Sequence, residues 1–178
     1  MREELFITGI GGQGIILAGE LIAKAAMEKG YYAVMTKMYG AEVRGGASSS
    51  GVIISDNKIF FPFVRRPDYI LALHEKGLRS HAPRNTKILI IDEDLVRSLP
   101  NISYERLVKL PLIRIAESIG ASILANMVLL GIYSAFSRSI SVEDLKKVII
   151  SEVKEKYKEL NLRALEKGYE IGKKVAHS

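Results

Sequence analysis

The chain has 178 residues and is 48% hydrophobic, which predicts a single domain over residues 1–178 with one sizeable core. Cysteine is absent and the three histidines lie far apart, so disulfides, cysteine nucleophiles, thiolate-bound clusters and metal sites are not expected. The formal net charge is +6, but charges near the C-terminus alternate in sign, which indicates a solvated helix face rather than a nucleic-acid surface.

The first elements are predicted to be a strand, a glycine turn, a helix and a second strand. Leu5–Ile10 is an apolar run, Ile15–Ala26 repeats apolar residues at helical spacing, and Gly30 suits a left-handed helix end. Tyr31–Met38 then completes a βαβ unit. The first strand begins without a signal sequence and no run approaches the roughly 20 apolar residues that cross a bilayer, so we expect a soluble, cytoplasmic protein with no membrane contact.

Four further strands are predicted in the middle of the chain. Val52–Ser55 and Ile59–Phe63 flank the turn-forming pair Asp56-Asn57, which favours a hairpin. Asp68–Leu73 and Lys87–Ile91 are apolar runs typical of parallel strands that are buried on both faces.

The remaining segments are predicted to be mostly helical. Glu75–His81 is a short helix, whereas Ile102–Leu112 is an edge strand because it contains a proline. Ile115–Phe136 is an apolar helix that breaks near Gly120. Together the elements predict an α/β fold: one Rossmann-like, open, mostly parallel sheet with a β-hairpin addition, flanked by helices, with a helical C-terminal third.

The last helical region is predicted to begin at Ser141, which resembles a capping-box residue, and to continue to Lys174. Gly168 and Gly172 interrupt its final stretch. We expect this end to fray or to dock on a partner.

The sharpest local feature is the glycine turn Gly9–Gly14, which satisfies the G-x-G-x-x-G pattern between a strand and a helix. Glycines allow a sharp turn and let an anion approach the amides at the helix N-terminus. A nicotinamide or flavin enzyme also needs an acidic residue after the second strand, where this chain has Lys37, which suits an extra phosphate better. The glycines therefore either contact a ligand or partner, or only permit the turn.

A second glycine-rich segment, Tyr39–Ser48, follows the second strand at the expected carboxyl edge of the sheet, where open α/β sheets bind ligands. Arg44 could reach a backbone, a carboxylate or a phosphate, or it could pair with Glu42 to shape the loop. The candidate cofactor-binding or interface residues are Gly9, Gly11, Gly12, Gln13, Gly14, Lys37, Tyr39, Gly40, Glu42, Arg44, Gly45, Gly46 and Ser48.

Together these two segments resemble the gamma subunit, or gamma-like domain, of 2-oxoacid:ferredoxin oxidoreductases, whose members carry a GxGGQG turn and a later YGxExRGG segment. The resemblance continues through Ser48–Pro62, Pro67–Leu73 and Asn126–Gly131. The YGAEVRGG form is closer to the 2-oxoglutarate type than to the pyruvate type, although Ala41 stands where many relatives have proline.

The resemblance implies a multisubunit enzyme that decarboxylates a 2-oxoacid on thiamine diphosphate with Mg, passes electrons through iron–sulfur clusters to ferredoxin and forms an acyl-coenzyme A. It implies no catalytic residue and no cofactor bound by this chain alone. Partners would be alpha, beta and delta-type (ferredoxin-like) subunits, with a homodimer as an open alternative for the isolated chain. Gly11–Gly14 and Lys37–Ser48 would face the thiamine-bearing subunits and could contact coenzyme A phosphates.

Other functions remain open at this point. The chain could be the small subunit of an indolepyruvate:ferredoxin oxidoreductase, a stand-alone dinucleotide-binding Rossmann protein, or a scaffold without a ligand.

Three further positions have two interpretations each, and Asn126 has one. His74 could transfer protons, but a hydrogen-bonded structural histidine is the favoured interpretation. Asn126 in an apolar helix needs a polar partner and is predicted to brace a loop. Arg65 and Arg66 form a solvated turn or, alternatively, a site of subunit docking.

Overall fold

The computed structural model describes residues 1–42 and 44–178, so Val43 of the second glycine segment lies outside the described residues. Within this range the strands are β1 (Arg2–Ile10), β2 (Tyr32–Tyr39), β3 (Ala47–Ser55), β4 (Tyr69–Ala72), β5 (Asn85–Asp92) and β6 (Ser103–Leu110). The helices are α1 (Ile15–Glu28), α2 (Glu75–His81), α3 (Leu112–Ile119), α4 (Ala125–Phe136), α5 (Val142–Glu152) and α6 (Glu155–Ala176), with a 3-10 turn at Ser122–Leu124.

All six strands of the described chain form one sheet in the order β2-β3-β1-β4-β5-β6. β1, β4, β5 and β6 are parallel neighbours, whereas β3 runs antiparallel to both β1 and β2. The predicted α/β class and the mostly parallel open sheet are confirmed, and β6 is an edge strand as predicted. β2 runs in the same direction as β1, but β3 lies between them, so the strands of the predicted βαβ unit are not neighbours.

The hairpin predicted for Val52–Ser55 and Ile59–Phe63 is wrong. Val52–Ser55 is only the end of β3, and residues 59–63 form no strand. The hairpin lies instead between β2 and β3, where Tyr39 is opposite Ser48 across the turn. β3 is buried along its whole length between two strands, and its serine-rich first half hides the apolar pattern that a strand prediction needs.

Alternate residues of β1 face opposite sides of the sheet. Leu5 and Ile7 join the larger core, which contains residues of α1 and of α3 to α6, whereas Phe6 packs with Leu78 of α2 in a smaller core. The central apolar runs are therefore continuous because both faces are covered, as predicted. No helix of the described chain is long and apolar enough to cross a membrane.

Two predictions about the helical region are confirmed. The apolar helix breaks at Gly120, which follows the end of α3, before α4 begins. The Ser141 hydroxyl accepts a hydrogen bond from the amide of Asp144, whose carboxylate accepts from the Ser141 amide, so a capping box begins α5.

The expectation that the last glycines fray is wrong, whereas docking of this end on a partner stays a prediction. Gly168 and Gly172 of α6 lie against the backbone of α4, and a Cβ atom on Gly168 would overlap the carbonyl oxygen of Val128. Gly131 of α4 is equally close to the backbone of α6. The glycines let the two helix backbones approach each other directly, which anchors the end of the chain.

Candidate functional site

The two glycine segments meet at one edge of the sheet. The amide of Gly11 donates to the carbonyl oxygen of Gly46 at 2.9 Å, and the amide of Gly40 donates to that of Ala47 at 2.7 Å. We call the surface formed by residues 9–14, 40–42 and 44–46 the glycine rim. It lies at the carboxyl ends of β1 and β2, the edge at which open α/β sheets bind ligands.

The first segment presents backbone rather than side chains. Gly12 and Gly14 have φ angles of +91° and +72°, in the left-handed region that favours glycine. A Cβ atom on Gly12 would meet nothing within 4 Å, so the backbone there borders open space. Gly14 begins α1 without a side-chain cap, and the first turn contains no acidic residue. The free amides and the helix dipole can therefore accept an anion.

Gln13 holds the first segment in place from inside. Its Oε1 accepts from the amide of Ile10 at 2.9 Å, and its Nε2 donates to the carbonyl oxygen of Leu73 at 3.3 Å. The side chain therefore links the end of β1 to the end of β4. A Cβ atom on Gly9 would overlap Gln13 Oε1, so these two motif residues are matched to each other.

Asn126 at the start of α4 braces the glycine turn, as predicted. Its buried Nδ2 donates to the carbonyl oxygen of Gly14 at 3.2 Å, and its Oδ1 accepts from the amide of Met127 at 2.8 Å. A Cβ atom on Gly14 would overlap Nδ2. The close approach explains why glycine is needed here in addition to its φ angle.

The second segment is held by a residue that the sequence did not single out. Lys76 Nζ lies 2.8 Å from Glu42 Oε1 and donates to the carbonyl oxygen of Gly45 at 3.3 Å. This contact lowers the pKa of the Glu42 carboxyl. The alternative ion pair between Glu42 and Arg44 does not form. Arg44 is exposed and has no ion pair within the described chain.

Lys37 and Tyr39 lie on β2 at the border of the rim. Lys37 Nζ is 2.6 Å from Glu20 Oε1 of α1, and the hydrogen bond and charge of Glu20 raise the pKa of the lysine. Its charge is thus engaged by a carboxylate of this chain. Tyr39 is 65% exposed, and Ser48, opposite Tyr39 on β3, is buried beside Thr8.

A basic pocket of about 490 Å³ adjoins the rim through Lys76. Its lining residues are His74, Glu75, Lys76, Arg79, Asp94, Leu95 and Arg97. His74 caps α2, because its Nδ1 accepts from the amide of Lys76 at 3.0 Å, and the structural interpretation of this histidine is confirmed. Lys76, Arg79 and Arg97 were missed because isolated basic residues carry no spacing signal.

Glu75 organises one wall of the basic pocket. Its carboxylate accepts from Arg79 Nε at 2.8 Å and from the amide and hydroxyl of Ser98 at 3.1 and 3.0 Å. These hydrogen bonds lower the pKa of Glu75 to about 2. The carboxylate therefore stays charged and orients the arginine at the mouth of the pocket.

An apolar pocket of about 470 Å³ is lined in part by Gly14 of the rim. Its walls include Leu17, Ile123, Tyr157 and Leu160, with Asn126 beside the glycine. The rim therefore borders a basic pocket through Lys76 and an apolar pocket through Gly14, an arrangement that suits a ligand or partner with both anionic and apolar parts.

The fold is that of a known class. Residues 4–171 match the family described as pyruvate ferredoxin/flavodoxin oxidoreductase, and the chain belongs to this family. It is 39% identical over 181 residues to the 2-oxoglutarate synthase subunit KorC of Methanocaldococcus jannaschii, with 98% of this chain and 96% of that protein aligned.

A solved structure has the same fold. The gamma subunit of a keto/oxoacid ferredoxin oxidoreductase from Geobacter sulfurreducens matches with a TM-score of 0.81 and 37% identity, over 96% of this chain and 98% of that chain. The indolepyruvate oxidoreductase subunit IorB of Archaeoglobus fulgidus is more distant, at 26% identity over 95% of this chain and 94% of that protein. The resemblance to the gamma subunit is confirmed, and it outweighs the indolepyruvate and stand-alone alternatives.

Proposed function

We propose that this chain is the gamma subunit of a cytoplasmic, multisubunit 2-oxoacid:ferredoxin oxidoreductase that acts on 2-oxoglutarate. The complex would carry out coenzyme A-dependent oxidative decarboxylation to an acyl-coenzyme A and reduce ferredoxin. The observation that carries the proposal is the 39% identity to a 2-oxoglutarate synthase subunit over 98% of this chain. The more distant indolepyruvate relative supports the same choice.

In this proposal the chain contributes one α/β domain and no catalytic residue. Thiamine diphosphate with Mg²⁺ and the iron–sulfur clusters belong to alpha, beta and delta-type (ferredoxin-like) partner subunits. The composition supports this division, because a chain without cysteine cannot supply the thiolates that usually hold such clusters. The glycine rim then completes the site from the gamma side.

We propose that the rim contacts the phosphates of coenzyme A, which supplies the thiol that accepts the acyl group. Two features support an anion here: the uncapped start of α1 and the open backbone at Gly12. Arg44 is a better candidate than Lys37 for the cationic contact, because Lys37 already pairs with Glu20. Charge-assisted hydrogen bonds favour this type of contact.

Ferredoxin reduction by the purified complex tests the main proposal. The chain is co-purified with its thiamine-binding and ferredoxin-like subunits and assayed with 2-oxoglutarate, pyruvate and branched-chain oxoacids. We expect the highest turnover with 2-oxoglutarate and none from the isolated chain. Preference for pyruvate would overturn the substrate assignment, and turnover by the isolated chain would overturn the division of labour.

Calorimetry with coenzyme A tests the role of the rim. Arg44→Ala in the assembled complex is expected to raise the dissociation constant by about 10-fold or more, the effect of losing one charge-assisted hydrogen bond. Arg163→Ala on α6, another exposed arginine, is the matched control and should bind coenzyme A as the wild type does. Equal affinity for wild type and Arg44→Ala would remove the proposed ligand role.

A further inference from the structure

The segment between β3 and β4 carries a row of exposed aromatic rings. Phe60 is 92% exposed, Phe61 43% and Phe63 55%. Large apolar side chains clustered in this way mark an interaction surface more often than ordinary solvent-exposed surface. We call Phe60–Arg66 the aromatic ridge.

The ridge is held in shape by its own contacts. The rings of Phe61 and Phe63 meet edge to face, with centroids 5.6 Å apart, and the Arg65 guanidinium lies 4.3 Å from the centroid of Phe61. Val64 lies between the outward-facing residues and contacts Gly51 of β3. A Cβ atom built on Gly51 would lie 3.0 Å from the Val64 side chain. Such a surface loses little conformational entropy when a partner covers it.

The charge of the ridge is positive. Three acidic groups near its base are already engaged. Asp56 pairs with the N-terminal ammonium, Glu4 pairs with Arg2 and Asp68 pairs with Lys87. Lys58 and Arg66, on either side of the rings, have no carboxylate partner within the described chain. The Arg65 guanidinium lies over a ring rather than beside an acid, while the Arg65 amide donates to Glu4. The ridge and the adjoining Lys58 therefore present three cations around the aromatic rings.

We propose that the aromatic ridge is a docking surface for an acidic face of a partner subunit that also provides an apolar pocket for Phe60. Charge complementarity selects this occupant, since a second copy of the chain would place cations against cations. A protein rather than a lipid surface is favoured because the similar proteins of M. jannaschii and G. sulfurreducens are subunits. The inference rests on the proposed function, which supplies the partner subunits.

The segment that carries the ridge begins and ends away from the glycine rim. The chain leaves β3 at Ser55 and enters β4 at Tyr69, both at the amino ends of the parallel strands, whereas the rim lies at their carboxyl ends. The two surfaces can thus contact different parts of an assembly. Substitutions on the ridge should leave contacts at the rim intact.

The test is to titrate the chain into the complex prepared from the remaining subunits. Phe60→Ser and Arg66→Glu are each expected to weaken association at least 10-fold, and added salt should weaken association of the wild type. Met27→Ser on α1 is the control, because Met27 is 57% exposed and lies outside the ridge. It should associate as the wild type does, and circular dichroism should show that all variants are folded.

Other outcomes would overturn the proposal. Association unchanged in both ridge variants would do so, as would self-association that Phe60→Ser abolishes in sedimentation equilibrium. Binding to phosphatidylserine vesicles that Arg66→Glu abolishes would show a lipid surface instead. A wild-type chain that joins no such complex overturns this inference and the proposed function together, whereas an active complex that tolerates both ridge variants overturns this inference alone.

Discussion

The amide of Gly11 donates a 2.9 Å hydrogen bond to the carbonyl oxygen of Gly46 and joins two glycine segments that come from different parts of the chain. The bond links backbone to backbone, so it does not depend on any side chain. It makes the turn after β1 and the loop between β2 and β3 one continuous surface. Side-chain hydrogen bonds from Gln13 to the carbonyl oxygen of Leu73 and from Lys76 to that of Gly45 hold this surface in place.

Gly14→Ala should destabilise the protein more than Gly12→Ala. Both glycines have positive φ angles, so alanine costs about 1 kcal/mol of backbone strain at either position. At Gly14 the new Cβ would also displace the Asn126 amide and break its hydrogen bond, adding about 1–2 kcal/mol. Urea denaturation of the two variants measures the difference. Equal losses would show that Asn126 moves aside without cost.

Glu3→Ala should lower the free energy of unfolding by at least about 3 kcal/mol. The Glu3 carboxylate is buried and accepts from the hydroxyls of Tyr133, Ser137 and Ser139 at 2.6 to 2.8 Å and from the amide of Arg138 at 3.1 Å. Alanine would leave these buried and partly buried donors without their acceptor.

Tyr133→Phe is the matched smaller change, because it removes one donor and keeps the carboxylate. We expect a loss of about 1–2 kcal/mol, again from chemical denaturation. Burial and the Glu3 charge raise the pKa of the Tyr133 phenol well above its ordinary value, so its hydroxyl remains a donor at neutral and moderately alkaline pH. If Glu3→Ala lost less free energy of unfolding than Tyr133→Phe, the role of the carboxylate would be contradicted.

Glu75→Gln should flatten the acid side of the stability profile. The pKa of Glu75 is about 2, below its ordinary value of 4.5, because the charged carboxylate accepts from Arg79 and Ser98. A lowered pKa in the folded state gives stability that is present above about pH 4.5 and is lost as the pH falls towards 2. The midpoint temperature of thermal unfolding, measured over this pH interval, should therefore fall less steeply for Glu75→Gln than for the wild type.

Glu117→Gln is the control for the acid profile, because Glu117 is exposed and makes no ion pair within the described chain. Its profile should follow that of the wild type. An acid profile of Glu75→Gln as steep as that of the wild type would show that the carboxylate contacts contribute nothing in solution. Carbon-13 NMR titration of Glu75 gives a second, local measurement of the same pKa.

The fold was predictable where the signal is local. The apolar periodicity of α1, the helix break at Gly120 and the capping box at Ser141 all depend on residues within one or two helical turns of each other. The hairpin was misplaced because Ile59–Phe63 has the composition of a strand but forms none, and its three phenylalanines are exposed. Composition alone does not distinguish a buried β-strand from an exposed extended segment.

The candidate site, like the fold, was predictable where the signal is local and was not where contacts between distant elements decide. The glycines were found because a tight strand-to-helix turn requires them at fixed spacing. Arg44 was recognised but its pairing with Glu42 was not observed, because Lys76 from α2 competes for that carboxylate. Lys37 was assigned to an anion, whereas Glu20 of α1 already neutralises it. In both cases the deciding partner comes from another element of the fold.

The amino-acid sequence by itself determined the glycine turns, most of the helices and strands and the resemblance to the family, because backbone sterics and hydrophobic periodicity act over a few neighbouring residues. The tertiary structure alone decided that β3 lies between β1 and β2, that Glu3 is buried among hydroxyls and that Lys76 reaches Glu42. Strand order and ion pairing depend on distances between elements, and those distances exist only after the chain has packed around its core.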